Sequence, residues 1–369
     1  MDGEIKNFIM VWITAILSQF YCYYIVAMMI PKGMMRLLSL LPIFCLYIIL
    51  PCYLNTIHLG GFTVFFLVWL GNFKLILFAF DQGPLSPPPP KPLHFISIAC
   101  LPIHLKQDPP LNTKNIQIPT HKNCDTHPSP ITHNDNPTKV PKAFALVIKA
   151  LILAMIICAY DYRTNFHPYV LLALYATHIY LAIEISLALA AAAPQAIFGF
   201  ELEPHFNKPY LSTSLQNFWG HRWNLMATYI LRPTVYKPIH HISTNIIGSR
   251  WAFAPAIIST FLLSGLIHEV IYFYFTRVNP TWEVTCFFVL NGICTTFEVM
   301  VKKRVTNKWR LHGAVSGPLT IGFLAVTGVW LFFPQLLRNG VDERVIKESL
   351  ILVDFVKANL PLSLPLEKS

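Results

Sequence analysis

Eight uncharged or nearly uncharged stretches, each long enough to cross a bilayer, constrain this chain more than any motif in it. Crossing about 30 Å of hydrocarbon as helix takes roughly 20 apolar residues. Such stretches occupy 8–30, 37–57, 59–80, 143–160, 168–193, 252–275, 282–301 and 314–337. The expected fold class is all-α, a multi-pass transmembrane helical bundle of about eight spans. Composition agrees, with 54% hydrophobic and only 12% charged residues over 369 positions, a balance that a soluble domain does not show. The first stretch is too long for a signal-peptide core and has no small-residue cleavage pattern behind it, so it is expected to be a retained span.

The formal net charge of +10 comes from basic residues scattered through short loops, where a topology signal explains them better than nucleic acid does. With eight alternating spans, one side of the membrane receives Lys32 and Arg36, the lysines of 81–141, the arginines and lysines of 201–250, and Lys302, Lys303 and Arg304. The other side receives little beyond Lys6, Arg163, Arg277 and a mixed-charge tail. The positive-inside tendency makes the first side cytosolic and puts 201–250 against cytosolic substrates. The chain then divides into N-terminal spans (1–80), a Pro-rich flexible cytosolic loop opened by Pro87 to Pro90 (81–141), a transmembrane core (142–337) and a C-terminal tail (338–369). The apolar island 93–103 within the loop is too short to span and is expected to dip into the interface or pack on the bundle. Six of the eight cysteines, Cys22, Cys45, Cys52, Cys158, Cys286 and Cys294, fall inside apolar stretches, with no C-x-x-C pair. They are expected to be buried, reduced hydrophobes, and no metal site is expected.

Two regions carry polar chemistry where the surroundings are apolar. His268 and Glu269 lie deep in the stretch 252–275. Ionisable groups at that depth are costly and face a bundle interior or a cavity, which makes His268 a candidate catalytic base. At helical spacing Ser264 and Gly265 leave space beside the imidazole and Tyr272 is placed to wall or polarise it, whereas Glu269 points about 100° away. The second region runs from 201 to 232. Ser212 or Ser214 can cap a helix there, and Leu215, Phe218, Trp219, Arg222, Trp223, Met226 and Ile230 recur at three- and four-residue spacing. One continuous amphipathic helix is expected, its two indoles serving either as an interfacial anchor or at the mouth of a substrate tunnel. Its other flank carries Gln216, His221 and Asn224, able to bond a thioester or a pyrophosphate. Among the remaining intramembrane polar residues, Lys74 and Lys149 lie near span ends and are expected to snorkel, while His178 and Glu184 are candidates for lining a tunnel.

Asn207-Lys208-Pro209-Tyr210, Phe218-Trp219-Gly220 and Arg222-Trp223-Asn224, followed by Ser264-Gly265 and His268-Glu269, resemble the plant wax synthase-like branch of the membrane-bound O-acyltransferases. The resemblance covers nearly the whole chain. It implies a fold of that type and transfer of an acyl group from acyl-CoA to a lipid alcohol, giving wax esters or, in a close subgroup, steryl esters. It implies Asn224 and His268 as the active-site pair, with Trp219, His221, Arg222, Trp223, Ser264, Gly265 and Tyr272 around the substrates. His221 departs from the family, whose members often have arginine there. Endoplasmic reticulum is the implied membrane. No cofactor is called for, acyl-CoA being a co-substrate, and nothing bears on oligomeric state.

The chemistry is coherent on its own terms. Esterification needs an alcohol deprotonated as it attacks the thioester, a task suited to a neutral imidazole, and Asn224 can orient or polarise the thioester carbonyl. Competing signatures fail. His240-His241 is followed by Asn245 and Ile246 where the H-H-x-x-x-D-G pattern needs Asp and Gly, no H-x-x-x-x-D occurs, and no G-x-S-x-G elbow supplies a serine nucleophile. The acceptor stays open between a fatty alcohol and a sterol, with diacylglycerol a distant third. A lipid carrier or transporter is the alternative of a different class, against which stands the lack of an internal repeat.

Overall fold

The computed structural model describes residues 2–103, 142–200, 202–304 and 311–359, which are built from helices. Eight of these are long and apolar enough to cross a membrane: α1 (Gly3–Ala27), α2 (Met34–Tyr53), α3 (Ile57–Ala79), α5 (Phe144–Asn165), α6 (Pro168–Phe198), α10 (Phe253–Thr276), α11 (Glu283–Arg304) and α12 (Gly313–Arg338). Between them lie the shorter α4 (Pro92–Cys100), α7 (Leu215–His221), α8 (Leu225–Leu231) and α9 (Lys237–Ile247), and the chain continues into α13 (Val341–Asn359). Each expected span is present. The part of the polar loop at 104–141, with its lysines, lies outside the described residues.

The apolar island forms α4 and packs on the bundle. Proline at its first position costs no hydrogen bond, and Phe95, Ile98 and Ala99 are buried in a cluster with Leu40, Tyr47 and Phe78. Its other end is held by Lys74, which does not snorkel: the side chain is fully buried, and Nζ donates to the carbonyls of Ile98 (2.7 Å) and Leu101 (2.5 Å). A cation at a helix C-terminus satisfies carbonyls that have no intrahelical donor and opposes the macrodipole. Lys149 likewise finds a protein partner, pairing with Glu184 of α6. His178 bonds the Tyr160 hydroxyl at 3.2 Å in a buried cluster.

Two sets of polar contacts separate the ends of the spans. On one face Lys32 pairs with Asp81, His205 bonds the Pro102 carbonyl (2.7 Å), and the start of α12 meets the segment at Ser212 and Thr213. On the other, α13 gathers the remaining turns: Arg344 donates to the Phe275 and Asn55 carbonyls, Tyr175 donates to Asp342, and Arg163 approaches Glu343. Alternate turns therefore share a face, as eight crossings require. Among the cysteines, Cys22 is buried in protein as expected, but Cys45, Cys52, Cys158 and Cys286 lie on the outer surface of the bundle. An apolar stretch in a membrane has a lipid side as well as a protein side, and hydropathy does not tell them apart.

Glu348 of α13 caps the start of α3, accepting from the Ile57 amide (2.8 Å), the His58 amide (3.0 Å) and His58 Nδ1 (2.7 Å). Burial alone would raise this carboxyl, but these hydrogen bonds outweigh it and hold it below its ordinary value. A carboxyl depressed by folding contributes stability that is complete above its unfolded pKa of about 4.3 and is lost as pH falls through the folded value. Glu348→Gln is expected to cost about 1–3 kcal/mol at pH 7. Tryptophan-fluorescence melting in detergent should show this gap to wild type closing as the pH is lowered through the carboxylate range.

Candidate active site

Ser214 starts α7 by accepting from the Asn217 amide (3.1 Å), as the sequence suggests, but a second acceptor comes from across the bundle. Glu298 of α11 accepts from the Leu215 amide at 2.8 Å, and Lys302 bridges Glu298 (2.6 Å) and Ser214 (3.0 Å). The helix ends at His221 instead of running on through Ile230. Asn224 adopts a left-handed backbone (φ 39, ψ 68) and caps α8, its Oδ1 accepting from the Ala227 amide at 3.2 Å. Asparagine tolerates that conformation and caps well, so the expected continuous helix becomes two short ones. The apolar spacing survives the break in that Phe218 of the first piece and Met226 and Ile230 of the second are buried.

Arg222 ties the break together. Its Nε donates to Asn217 Oδ1 (2.7 Å) and one terminal nitrogen to the carbonyls of Asn207 (3.1 Å) and Lys208 (3.2 Å), so most of its donors are committed to the fold. His221 is exposed. Both indoles pack against other aromatic rings of the protein. Trp223 stacks on Phe218 (5.3 Å, 16°) and meets Phe206 edge-on. Trp219 donates from Nε1 to Asn291 Oδ1 (3.2 Å) and packs against Phe261 and Phe288.

His268 lies about 22 Å along α10 at 1.5 Å per residue. Its Nδ1 is 2.7 Å from the Ser264 carbonyl oxygen. A carbonyl only accepts, so Nδ1 carries the hydrogen and the neutral ring keeps its lone pair on Nε2. The ring lies against Phe288 (4.3 Å, 35°) and edges Phe332 (6.1 Å). Tyr272 walls this space without polarising it, because its hydroxyl donates to the Phe332 carbonyl (2.9 Å) in a π-wound turn of α12. Glu269 turns away to the Thr285 hydroxyl (3.1 Å), as its angle on the helix requires. Gly265 serves packing: a Cβ there would lie 2.8 Å from Thr285 Cα, so the space it leaves is filled by α11.

The structure thus brings Trp219 and His268 against one ring, Phe288. Asn224 is linked to this centre through α8, whose Met226 and Ile230 share a cluster with Leu263 and Ile267 of α10. The site residues that the sequence reading did not assign are Phe332 of α12 and a set on α11. Thr285, Phe288, Asn291 and Glu298 recur at three- and seven-residue spacing, and that stripe is the signal by which they were open to discovery. Asn291 is fully buried and satisfied on both sides, its Nδ2 donating to the Phe287 carbonyl (2.9 Å). Among the described residues no group of three or more His, Cys, Asp and Glu could hold a metal ion.

Residues 202–290, which carry α7, α8 and the His268 helix, match the Membrane bound O-acyl transferase family. Probable long-chain-alcohol O-fatty-acyltransferase 1 of Arabidopsis thaliana is 45% identical over 97% of this chain and 98% of its own length. The chain belongs to the membrane-bound O-acyltransferase family. Long-chain-alcohol O-fatty-acyltransferase of Simmondsia chinensis is 44% identical over 98% of both chains. Acyl-CoA--sterol O-acyltransferase 1 of Arabidopsis thaliana is 43% identical over 93% of this chain and 94% of its own. As a member of this family the chain is an O-acyltransferase, and its eight apolar helices make it an integral multi-pass membrane protein.

Asn291→Leu keeps the size of the side chain but strands the Trp219 N–H. Turnover is expected to fall at least about tenfold, equivalent to about 1.4 kcal/mol, with the variant still monodisperse by size exclusion in detergent. Unchanged turnover would show that the Trp219 bond does not organise the site.

Proposed function

We propose that this chain moves the acyl group of an acyl-CoA onto the hydroxyl of a long-chain alcohol, making a wax ester, with His268 as general base. The observation that carries this reading is the fixed tautomer of His268, whose Nε2 lone pair sits among aromatic rings beside the segment that bears Asn224. Nε2 takes the hydroxyl proton as the alcohol oxygen attacks the thioester carbon. The tetrahedral intermediate collapses by breaking the C–S bond, and the imidazolium returns its proton to the departing thiolate, so no covalent enzyme intermediate is needed. Asn224 commits Oδ1 to capping α8 and keeps its amide N–H groups to polarise the thioester carbonyl. Trp219, Trp223 and Arg222 shape the mouth, and His221 is the exposed group there to meet CoA phosphates.

In this reading CoA enters from the cytosolic side, marked by the basic turns, and the membrane is that of the endoplasmic reticulum. A sterol is the alternative acceptor, favoured by the likeness to a relative named as a sterol O-acyltransferase. A lipid carrier has no use for an imidazole held in this tautomer.

The test is ester formation by microsomes from cells lacking their own neutral-lipid acyltransferases, given labelled palmitoyl-CoA and, separately, hexadecanol, a sterol and diacylglycerol. Wild type is expected to make hexadecyl ester, and a normally expressed His268→Ala to lose at least about 100-fold of that rate. No ester with any acceptor would overturn the proposal, and a fully active variant would remove His268 as the base.

A further inference from the structure

Beyond His268, on the outer side of α10, a groove of about 400 Å³ runs between that helix and the turn leading to α11. This size lies within the range of small-ligand sites. Leu266, Val270, Phe273 and Trp282 wall it, each between 38% and 55% exposed, so it opens where the bundle meets hydrocarbon. Glu269 lines it too, yet the residue is only 3% exposed. One carboxyl oxygen accepts from the Thr285 amide and hydroxyl, while the other, Oε2, is buried with no hydrogen-bond partner.

A carboxyl oxygen left unpaired at membrane depth is costly. The catalytic reading does not use it, because the Ser264 carbonyl orients His268. What Oε2 lacks is a single donor. The other polar group on the groove, the Tyr274 hydroxyl, already donates to the Ile48 carbonyl at 2.5 Å. The hydroxyl of a lipid supplies one donor, and its hydrocarbon chain fits the apolar walls.

We propose that this groove docks the hydroxyl end of a membrane alcohol, with Glu269 Oε2 accepting its hydrogen bond, as a loading site next to the catalytic base. The choice of a long-chain alcohol rests on the proposed function, but docking is tested without catalysis. The purified protein in phosphatidylcholine nanodiscs is irradiated with a diazirine-bearing hexadecanol, or with the methyl ether of the same probe, which can no longer donate.

Labelling of the 264–275 segment by the alcohol is expected, suppressed by unlabelled hexadecanol and at least fivefold weaker with the ether. Val270→Trp, which fills the groove from its lipid side and leaves the Glu269 to Thr285 bonds intact, should reduce labelling at least fivefold, as should Glu269→Leu. Equal labelling by the ether, or undiminished labelling of a monodisperse Val270→Trp, would overturn the site. Labelling without ester synthesis would overturn the proposed acceptor chemistry and leave the groove standing, whereas ester synthesis without labelling would do the reverse.

Discussion

The site is organised by how closely α10 and α11 approach each other. Gly265 faces the Thr285 backbone and Gly292 faces Phe261, each with room for hydrogen alone, since a Cβ at either position would come within 2.8 Å of its neighbour. In a bilayer, where lipid tails are as apolar as side chains, such small-residue contacts and hydrogen bonds across helices hold spans together. With the two helices in this register, one stripe of α11 reaches both regions that carry the candidate site. Thr285 holds Glu269, Phe288 bears the imidazole, Asn291 holds Trp219, and Glu298 caps the helix on which Trp219 rides. A change in that register would displace the base and the aromatic signature together.

The spans were legible because bilayer thickness imposes a length and an apolar content that can be counted residue by residue. The position of His268 within its span was legible for the related reason, since the same count of apolar residues sets its depth. The arrangement at 201–232 was legible only as spacing. Nothing in the run from Leu215 to Ile230 announces that Asn224 turns left-handed, because a capping asparagine and an asparagine inside an amphipathic helix look alike until the neighbouring segments are placed. The anchoring of Arg222 to the carbonyls of Asn207 and Lys208 is a contact between segments 14 and 15 residues apart, which helical periodicity does not encode. Lys74 shows the same limit. Its distance from the span end suggested snorkelling, and only the placement of α4 reveals carbonyls waiting for it inside the bundle.

Charged side chains hold three helix ends from across the bundle. Lys74 meets the last carbonyls of α4, Glu298 the first amides of α7, and Glu348 the first amides of α3. Each joins segments far apart in sequence and sets an ionisable group against backbone partial charges of opposite sign. Two of these helices, α4 and α7, are too short to persist alone in water and are fixed in this way.

The main chain, through the Ser264 carbonyl, aims the imidazole of His268. In a hydrolase triad a carboxylate does that work, and replacing one side chain misdirects the base. Here the orienting group belongs to the helix itself and persists whatever side chain stands at position 264. The side chains around the ring can therefore change without turning it, since its aim rests on a backbone oxygen that any residue at position 264 supplies.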